Sequence, residues 1–373
     1  MSKGQDKRKE KKKERKAKYP IMPPVTTTEL SLDHARTLVD AHMRALFTER
    51  RRQAAMIHDS YAAFWDHIAE VALAGGKRIR PYLTMVGNGG FDERVLPVAL
   101  AQEFIHIAML VHDDIIDQDT MRHGVKNLTG RYIDSYSPHA DPARAHHYAN
   151  SAALLGGDSL ISEAYRLIET SDYPHDVRQK LSDQLATSIF EVIGGELLDV
   201  EAGFIIGVPY DPLTVYRYKT SSYSFIGPLL SGAYCAGADN DTLATLERFA
   251  TNMGVAFQIQ DDLLGVFGDE QQTGKSTTSD LREGKQTLLV RYHTELMTAE
   301  QHERFAWFGQ QDASEEQLQA IKADMTSSGA RQKTIDLAEY YFAAAHTNLT
   351  QLPSDARTAE LTSLITQLEG RNV

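Results

Sequence analysis

Three aspartates crowd the end of one apolar stretch. Residues 104–124 read Phe-Ile-His-Ile-Ala-Met-Leu-Val-His-Asp-Asp-Ile-Ile-Asp-Gln-Asp-Thr-Met-Arg-His-Gly. Apolar residues at 104, 105, 108, 111, 115 and 116 recur at helical spacing and predict a buried helix to about Gln118. Asp113 and Asp117 fall one turn apart on a shared face, with Asp114 beside them. Like charges repel there, and carboxylates are seldom buried without a partner, so a cation is expected. Mg2+ suits the place, because it takes one or two carboxylates, keeps several waters and completes its shell with substrate phosphates. A second acidic stretch, Phe257-Gln258-Ile259-Gln260-Asp261-Asp262-Leu263-Leu264-Gly265, also follows a helical apolar run. Two such clusters predict a hollow floored by hydrocarbon and rimmed by carboxylates, which holds a diphosphate through its metals and a greasy tail by burial.

The elements that must position these groups read as helices almost throughout. From about Ser31 the helical pattern breaks at Gly75-Gly76, Gly87–Gly90, Ser135–Pro142, Ser171–Pro174, Gly203–Pro212, Gly237–Asp241, Gly268–Ser279, Gly309–Ser314, Ser327–Gly329 and Leu352–Ser354. Asp211 with Pro212, Asp241, and Ser314 with Glu316 are the expected helix starts. No alternating strand of useful length and no fixed repeat are seen. The prediction is an all-α domain of about a dozen helices over residues 25–373.

Of the chain's 373 residues, 42% are hydrophobic, ordinary for a water-exposed fold. No apolar run approaches the roughly 18 residues of a membrane span, and no signal-peptide pattern is present, so a cytoplasmic location is expected. The single cysteine, Cys235, excludes an internal disulfide. Net charge is −12, unevenly spread: residues 1–18 hold ten Lys/Arg against three Asp/Glu. Residues 1–24 are read as a disordered basic tail, either a solubilising arm or a loose peripheral contact with an anionic membrane. The strongly acidic remainder argues against nucleic acid.

Taken together, these residues resemble the trans-isoprenyl (polyprenyl) diphosphate synthases, in order from about residue 31 to the end. Asp113-Asp114-Ile115-Ile116-Asp117 resembles the family's first aspartate-rich motif, and Gln258-Ile259-Gln260-Asp261-Asp262 its second. Gly75-Gly76-Lys77-Arg78-Ile79-Arg80-Pro81 is similar to the basic loop that binds isopentenyl diphosphate. Lys219-Thr220, Gly274-Lys275 and Gly284-Lys285-Gln286-Thr287-Leu288 look like its diphosphate-gripping sites. A single DDxxD is weak evidence; the ordered set is strong. The resemblance implies a helical bundle of the isoprenoid-synthase type around a deep central cavity, usually as a homodimer. It also implies a reaction in which three Mg2+ ions hold an allylic diphosphate, whose C–O bond breaks. The double bond of isopentenyl diphosphate then attacks, and loss of a proton completes a 1'-4 link.

By that resemblance Asp113, Asp114, Asp117, Asp261 and Asp262 serve the metals, with Asp113, Asp117, Asp261 and Lys219 central to catalysis. Lys77, Arg80, His106 and His123 are the implied isopentenyl diphosphate contacts. His106 lies seven residues before Asp113, about 10.5 Å along the same helix. Arg122, Lys219, Thr220, Gln258, Lys275 and Lys285 are the implied allylic diphosphate contacts. Ala108 and Met109 sit about one 5.4 Å turn deeper than Asp113, with Phe104 a further turn down as a floor. In the family bulky aromatics at this depth stop growth early, so small Ala108 and flexible Met109 point to geranylgeranyl diphosphate or longer.

The chain departs from the family at His123, where a second Arg is usual, and at Gly265, where a third Asp is usual and fewer carboxylates are therefore expected. Glu196 stands where Gln is common, and Val125–Tyr132 lacks a common Pro-Thr-x-His sequence. A class I terpene cyclase would leave the Gly-Gly-Lys-Arg loop without a task. A non-catalytic regulatory subunit would be expected to lose the aspartates, and a membrane-associated scaffold leaves the acidic clusters unexplained.

Overall fold

A computed structural model describes residues 30–122, 124–204, 211–268 and 277–370. The basic tail, His123, Lys275 and most of the break expected after Gly203 lie outside the described residues. The helices run α1 Leu32–Ala55, α2 Asp59–Leu73, α3 Ile79–Gly87, α4 Leu96–Ile116, α5 Leu128–Tyr136, α6 Pro142–Glu169 and α7 His175–Phe204. Then follow α8 Pro212–Val215, a π-helix at Tyr216–Ile226, α9 Gly227–Ala236, α10 Asn240–Phe267, α11 Ser279–Glu283 and α12 Leu288–Leu296. The last four are α13 Ala299–Phe305, α14 Glu315–Ser327, α15 Ala330–Leu349 and α16 Ala356–Glu369. The strands among the described residues are β1 Met121–Arg122 and β2 Val125–Lys126, an antiparallel pair with Arg122 opposite Val125. The described residues form two compact units, one of residues 30–82 with 99–167 and one of residues 83–98 with 168–370.

In the first unit, Ser31 caps α1 by accepting from the His34 backbone N–H. The buried face of α1 carries Ala35, Leu38, Val39, Met43 and Phe47 at three- and four-residue steps. Phe47 stacks on Phe104 of α4 with centroids 5.6 Å apart and leans on Trp65 of α2 at 6.4 Å. Burying a Phe side chain of this kind contributes roughly 1.5–3 kcal/mol. Asn127 pins the hairpin: its side chain donates to the Asp119 carbonyl at 2.8 Å and caps α5 by accepting from Gly130 N–H at 2.9 Å.

The second unit is organised on α10, whose Leu246, Phe249, Met253, Ile259 and Leu263 are buried. Its cap is Asp239, which accepts from Thr242 N–H, rather than the expected Asp241, which lies in the first turn. Likewise Gln317, not Glu316, completes the capping box with Ser314. The π-helix was not foreseen. Its wider turn is set from both sides by glycines that admit its backbone. A Cβ on Gly195 of α7 would lie 2.3 Å from Lys219 N, and one on Gly254 of α10 would lie 2.5 Å from Ser221 Cα. Within the segment, the hydroxyls of Ser221 and Ser222 donate to the carbonyls of Tyr216 and Tyr218.

Overpacking a core costs about 1–3 kcal/mol, and here the obstacle is backbone that cannot rotate away. Gly254→Val is therefore expected to lower the thermal unfolding midpoint by several degrees, read by circular dichroism. An unchanged midpoint would show that the π-helix does not depend on this contact.

Candidate active site

The first acidic motif closes α4. Asp117 N–H donates to the Asp113 carbonyl at 2.8 Å, so the two aspartates are stacked one turn apart, as their spacing predicted. Gln118 then takes a left-handed conformation, φ +59°, and Asp119 N–H reaches back to the Asp114 carbonyl at 2.9 Å. This is a Schellman closure without its usual glycine. It leaves three carboxylates at the negative end of a helix dipole, where cations are favoured.

The three carboxylates do not share one environment. Asp114 is 2% exposed and accepts from Arg122 Nε at 2.7 Å, while Arg122 Nη2 also reaches Asp113 at 3.2 Å. Burial pushes the Asp114 carboxyl up to about 6, against the pull of Arg122. Asp113 is half-buried and Asp117 is exposed. Arg122 comes from β1, so the hairpin is what delivers the cation to the motif. His112 lies against Gly157 of α6, where a Cβ would fall 2.1 Å from its Nε2. Deeper along α4, Ala108 and Phe104 are fully buried, while Met109 and His106 are half-buried. Lys77 is exposed in the turn that leads into α3, and Arg80 is half-buried in the first turn of that helix.

The second motif repeats the division. Asp261 is exposed and Asp262 is 3% exposed. The buried carboxylate accepts from the Tyr216 hydroxyl and from Gln258 Nε2, the latter at 2.9 Å. Gln258 in turn accepts from the Thr220 hydroxyl at 2.6 Å. Tyr216 OH also accepts from the backbone N–H of Leu288, the first residue of α12, at 3.0 Å. Burial pushes Asp262 up to about 6, against Lys285, Tyr216 and Gln258.

Lys285 follows the left-handed cap Gly284, and its Nζ lies 3.9 Å from Asp262 and 4.0 Å from Asp280. Desolvation alone would lower its pKa. The charges of Asp262 and Asp280, with Asp199 and Asp261, outweigh that and hold the ammonium above its usual range. Lys219 is held by Asp199 at 2.5 Å and by Glu196 at 2.9 Å, so the unusual Glu196 has a partner.

Asp280 and Tyr216 were missed in the sequence, since neither stands in a recognisable motif. Asp280 bears on the Gly265 departure. A Cβ on Gly265 would lie 2.5 Å from an Asp280 carboxylate oxygen, so a carboxylate from α11 fills the space beside the position that lacks one.

Among the described residues, no three His, Cys, Asp or Glu side chains converge into a closed metal cage. Mg2+ does not need one: it uses one or two carboxylates and keeps open positions for waters and phosphate oxygens. The carboxylates of Asp113, Asp117 and Asp261 are hard oxygen donors, the chemistry such an ion takes. Asp114 and Asp262 are already engaged by protein donors.

Comparisons with known proteins identify the family of the chain. The sequence model of the polyprenyl synthetase family matches residues 63–325. The chain is 32% identical over 303 residues to geranylfarnesyl diphosphate synthase from Aeropyrum pernix, across 78% of this chain and 89% of that one. It is 32% identical over 288 residues to geranylgeranyl diphosphate synthase from Sulfolobus acidocaldarius, across 75% and 82%. A crystal structure of geranylgeranyl pyrophosphate synthase from Corynebacterium glutamicum, complexed with isoprenyl diphosphate and magnesium, is similar with a TM-score of 0.84. That likeness is at 28% identity and covers 92% of this chain and 100% of the other. The chain, all-helical apart from one small hairpin among the described residues and matched over most of its length, belongs to the polyprenyl synthetase family and is a trans-prenyltransferase that makes polyprenyl diphosphates.

Proposed function

We propose that the enzyme condenses isopentenyl diphosphate with an allylic diphosphate, with three Mg2+ ions per site, to give geranylgeranyl diphosphate or a longer trans product. The observation that carries this reading is the repeated division of labour. At each acidic motif one carboxylate is buried and braced, while of the others Asp117 and Asp261 are exposed and Asp113 is half-buried, with Arg122 Nη2 at 3.2 Å. These three are the ones we assign to the metals; Asp114 and Asp262 hold the arginine, tyrosine, glutamine and lysine in place. When bound, Mg2+ would supply positive charge where the leaving diphosphate develops negative charge. We assign Lys285, Lys219 and Arg122 to the allylic diphosphate, together with Lys275, which lies outside the described residues. Lys77 and Arg80, with His106 and His123, would hold the second diphosphate. The names of the two relatives above, geranylfarnesyl and geranylgeranyl diphosphate synthase, support the product length.

A homodimer is the proposed assembly. On α7 the side chains of Phe190, Ile193, Leu197 and Phe204 are 80%, 55%, 66% and 84% exposed. At helical spacing they fall within an arc of about 60°, an apolar stripe that a second copy would cover. No helix among the described residues is long and apolar enough to cross a membrane. A loose peripheral contact of the basic tail with an anionic membrane is proposed from its charge alone.

Enzyme supplied with isopentenyl diphosphate, Mg2+ and an allylic diphosphate is expected to yield linear polyprenyl diphosphates, sized by chromatography. Cyclised hydrocarbon from a single substrate, or turnover only after mixing with another chain, would overturn the reading. Asp113→Ala should cut turnover about a thousandfold with the unfolding midpoint unchanged, since it removes charge stabilisation at the reacting end. Near-normal turnover would remove Asp113 from the metal site. Met109→Phe should shorten the product by at least one isoprene unit, and an unchanged product would take it out of the tail's path. Phe190→Glu with Leu197→Glu should yield a single-chain mass by light scattering; a retained dimer would place the interface elsewhere.

A further inference from the structure

The basic loop between α2 and α3 contains an arginine that does not behave like its neighbours. Lys77 is exposed and Arg80 half-buried, but Arg78 is 5% exposed. Its guanidinium is spent on three helices at once. Nε donates to Asp40 of α1 at 2.8 Å, Nη1 to Glu103 of α4 at 2.7 Å, and Nη2 to the Ala72 carbonyl of α2 at 2.7 Å. Glu103 is itself 2% exposed.

The backbone is bent to permit this. Arg78 has φ +55°, and with Gln118 it is one of two non-glycine residues with positive φ among the described residues. A bulky residue holds that conformation only where its surroundings over-determine it. Gly76, at φ +110°, passes close enough that a Cβ there would lie 3.1 Å from Arg78 Nη1. A buried planar fork thus fixes the path of a short loop that presents a cation on either side of it. Lysine cannot replace it, because a single ammonium on a flexible stem does not span three acceptors in fixed directions.

We propose that Arg78 is a positioning residue that sets the spacing of the Lys77 and Arg80 charges, and with it the affinity for isopentenyl diphosphate, without touching substrate. The proposal rests on the reading of Lys77 and Arg80 as the grip on that diphosphate. Misplacement of a binding group by about an ångström costs on the order of a hundredfold, and partial loosening costs less.

The test is steady-state kinetics with both substrates varied. Arg78→Lys should raise KM for isopentenyl diphosphate about tenfold. KM for the allylic diphosphate and kcat should stay within about twofold, and the unfolding midpoint within a few degrees. The double variant Arg78→Met with Glu103→Gln removes the buried counter-charge with the arginine, and should show the same selective rise if Arg78→Lys does not fold. Equal rises in both KM values, or an unchanged KM for isopentenyl diphosphate in the folded variant, would overturn the proposal. Lys77→Ala and Arg80→Ala, measured alongside, separate the two levels. If they raise that KM and Arg78→Lys does not, only the positioning role fails. If they leave it unchanged, the grip and the positioning role fail together.

Discussion

The acidic motifs depend on the difficulty of placing carboxylates side by side. Two adjacent ionised aspartates repel, and neither is stable in a low-dielectric interior without a partner. The chain resolves this in the same way twice. Asp114 is turned inward to Arg122, and Asp262 is turned inward to Tyr216 and Gln258 with Lys285 nearby. Each inward carboxylate fixes a cation or a donor, and the exposed Asp117 and Asp261 stand on a backbone already held in place. Charges fixed before substrate arrives need no rearrangement when negative charge develops, which is where such sites gain most.

Helix positions were legible because their punctuation is local. Gly75-Gly76, Ser171–Pro174 and Gly237 ended helices where the sequence indicated, and Ser31, Asp211 and Ser314 capped them. The errors were equally local in origin. Asp239 and Asp241 are both competent caps two residues apart, and tertiary context selected the first. The acidic motifs stood out because five aspartates in two dense clusters are hard to explain otherwise. What could not be read was long-range. Tyr216 meets Asp262 across 46 residues, and Arg78 meets Glu103 across 25. No spacing rule connects such pairs.

Departures from the family pattern illustrate the same limit. Glu196 looked like a lost glutamine, yet it gives Lys219 a second carboxylate. Gly265 looked like a lost aspartate, yet the space beside it belongs to Asp280. In both cases the local charge is settled by a residue distant in sequence, so a position judged by itself misleads while the neighbourhood stays consistent.

The π-helix at Tyr216–Ile226 has a consequence for how this segment can change. Each widened turn accommodates one residue more than an α-turn would, and the surplus brings Tyr216 and Thr220 onto α10 while Lys219 faces α7. Loss of a single residue here would still permit a well-bonded helix, merely a tighter one. Every side chain beyond the deletion would swing by roughly a quarter turn, and the tyrosine, lysine and threonine would address the wrong neighbours. Length, more than composition, is therefore the guarded property of this stretch.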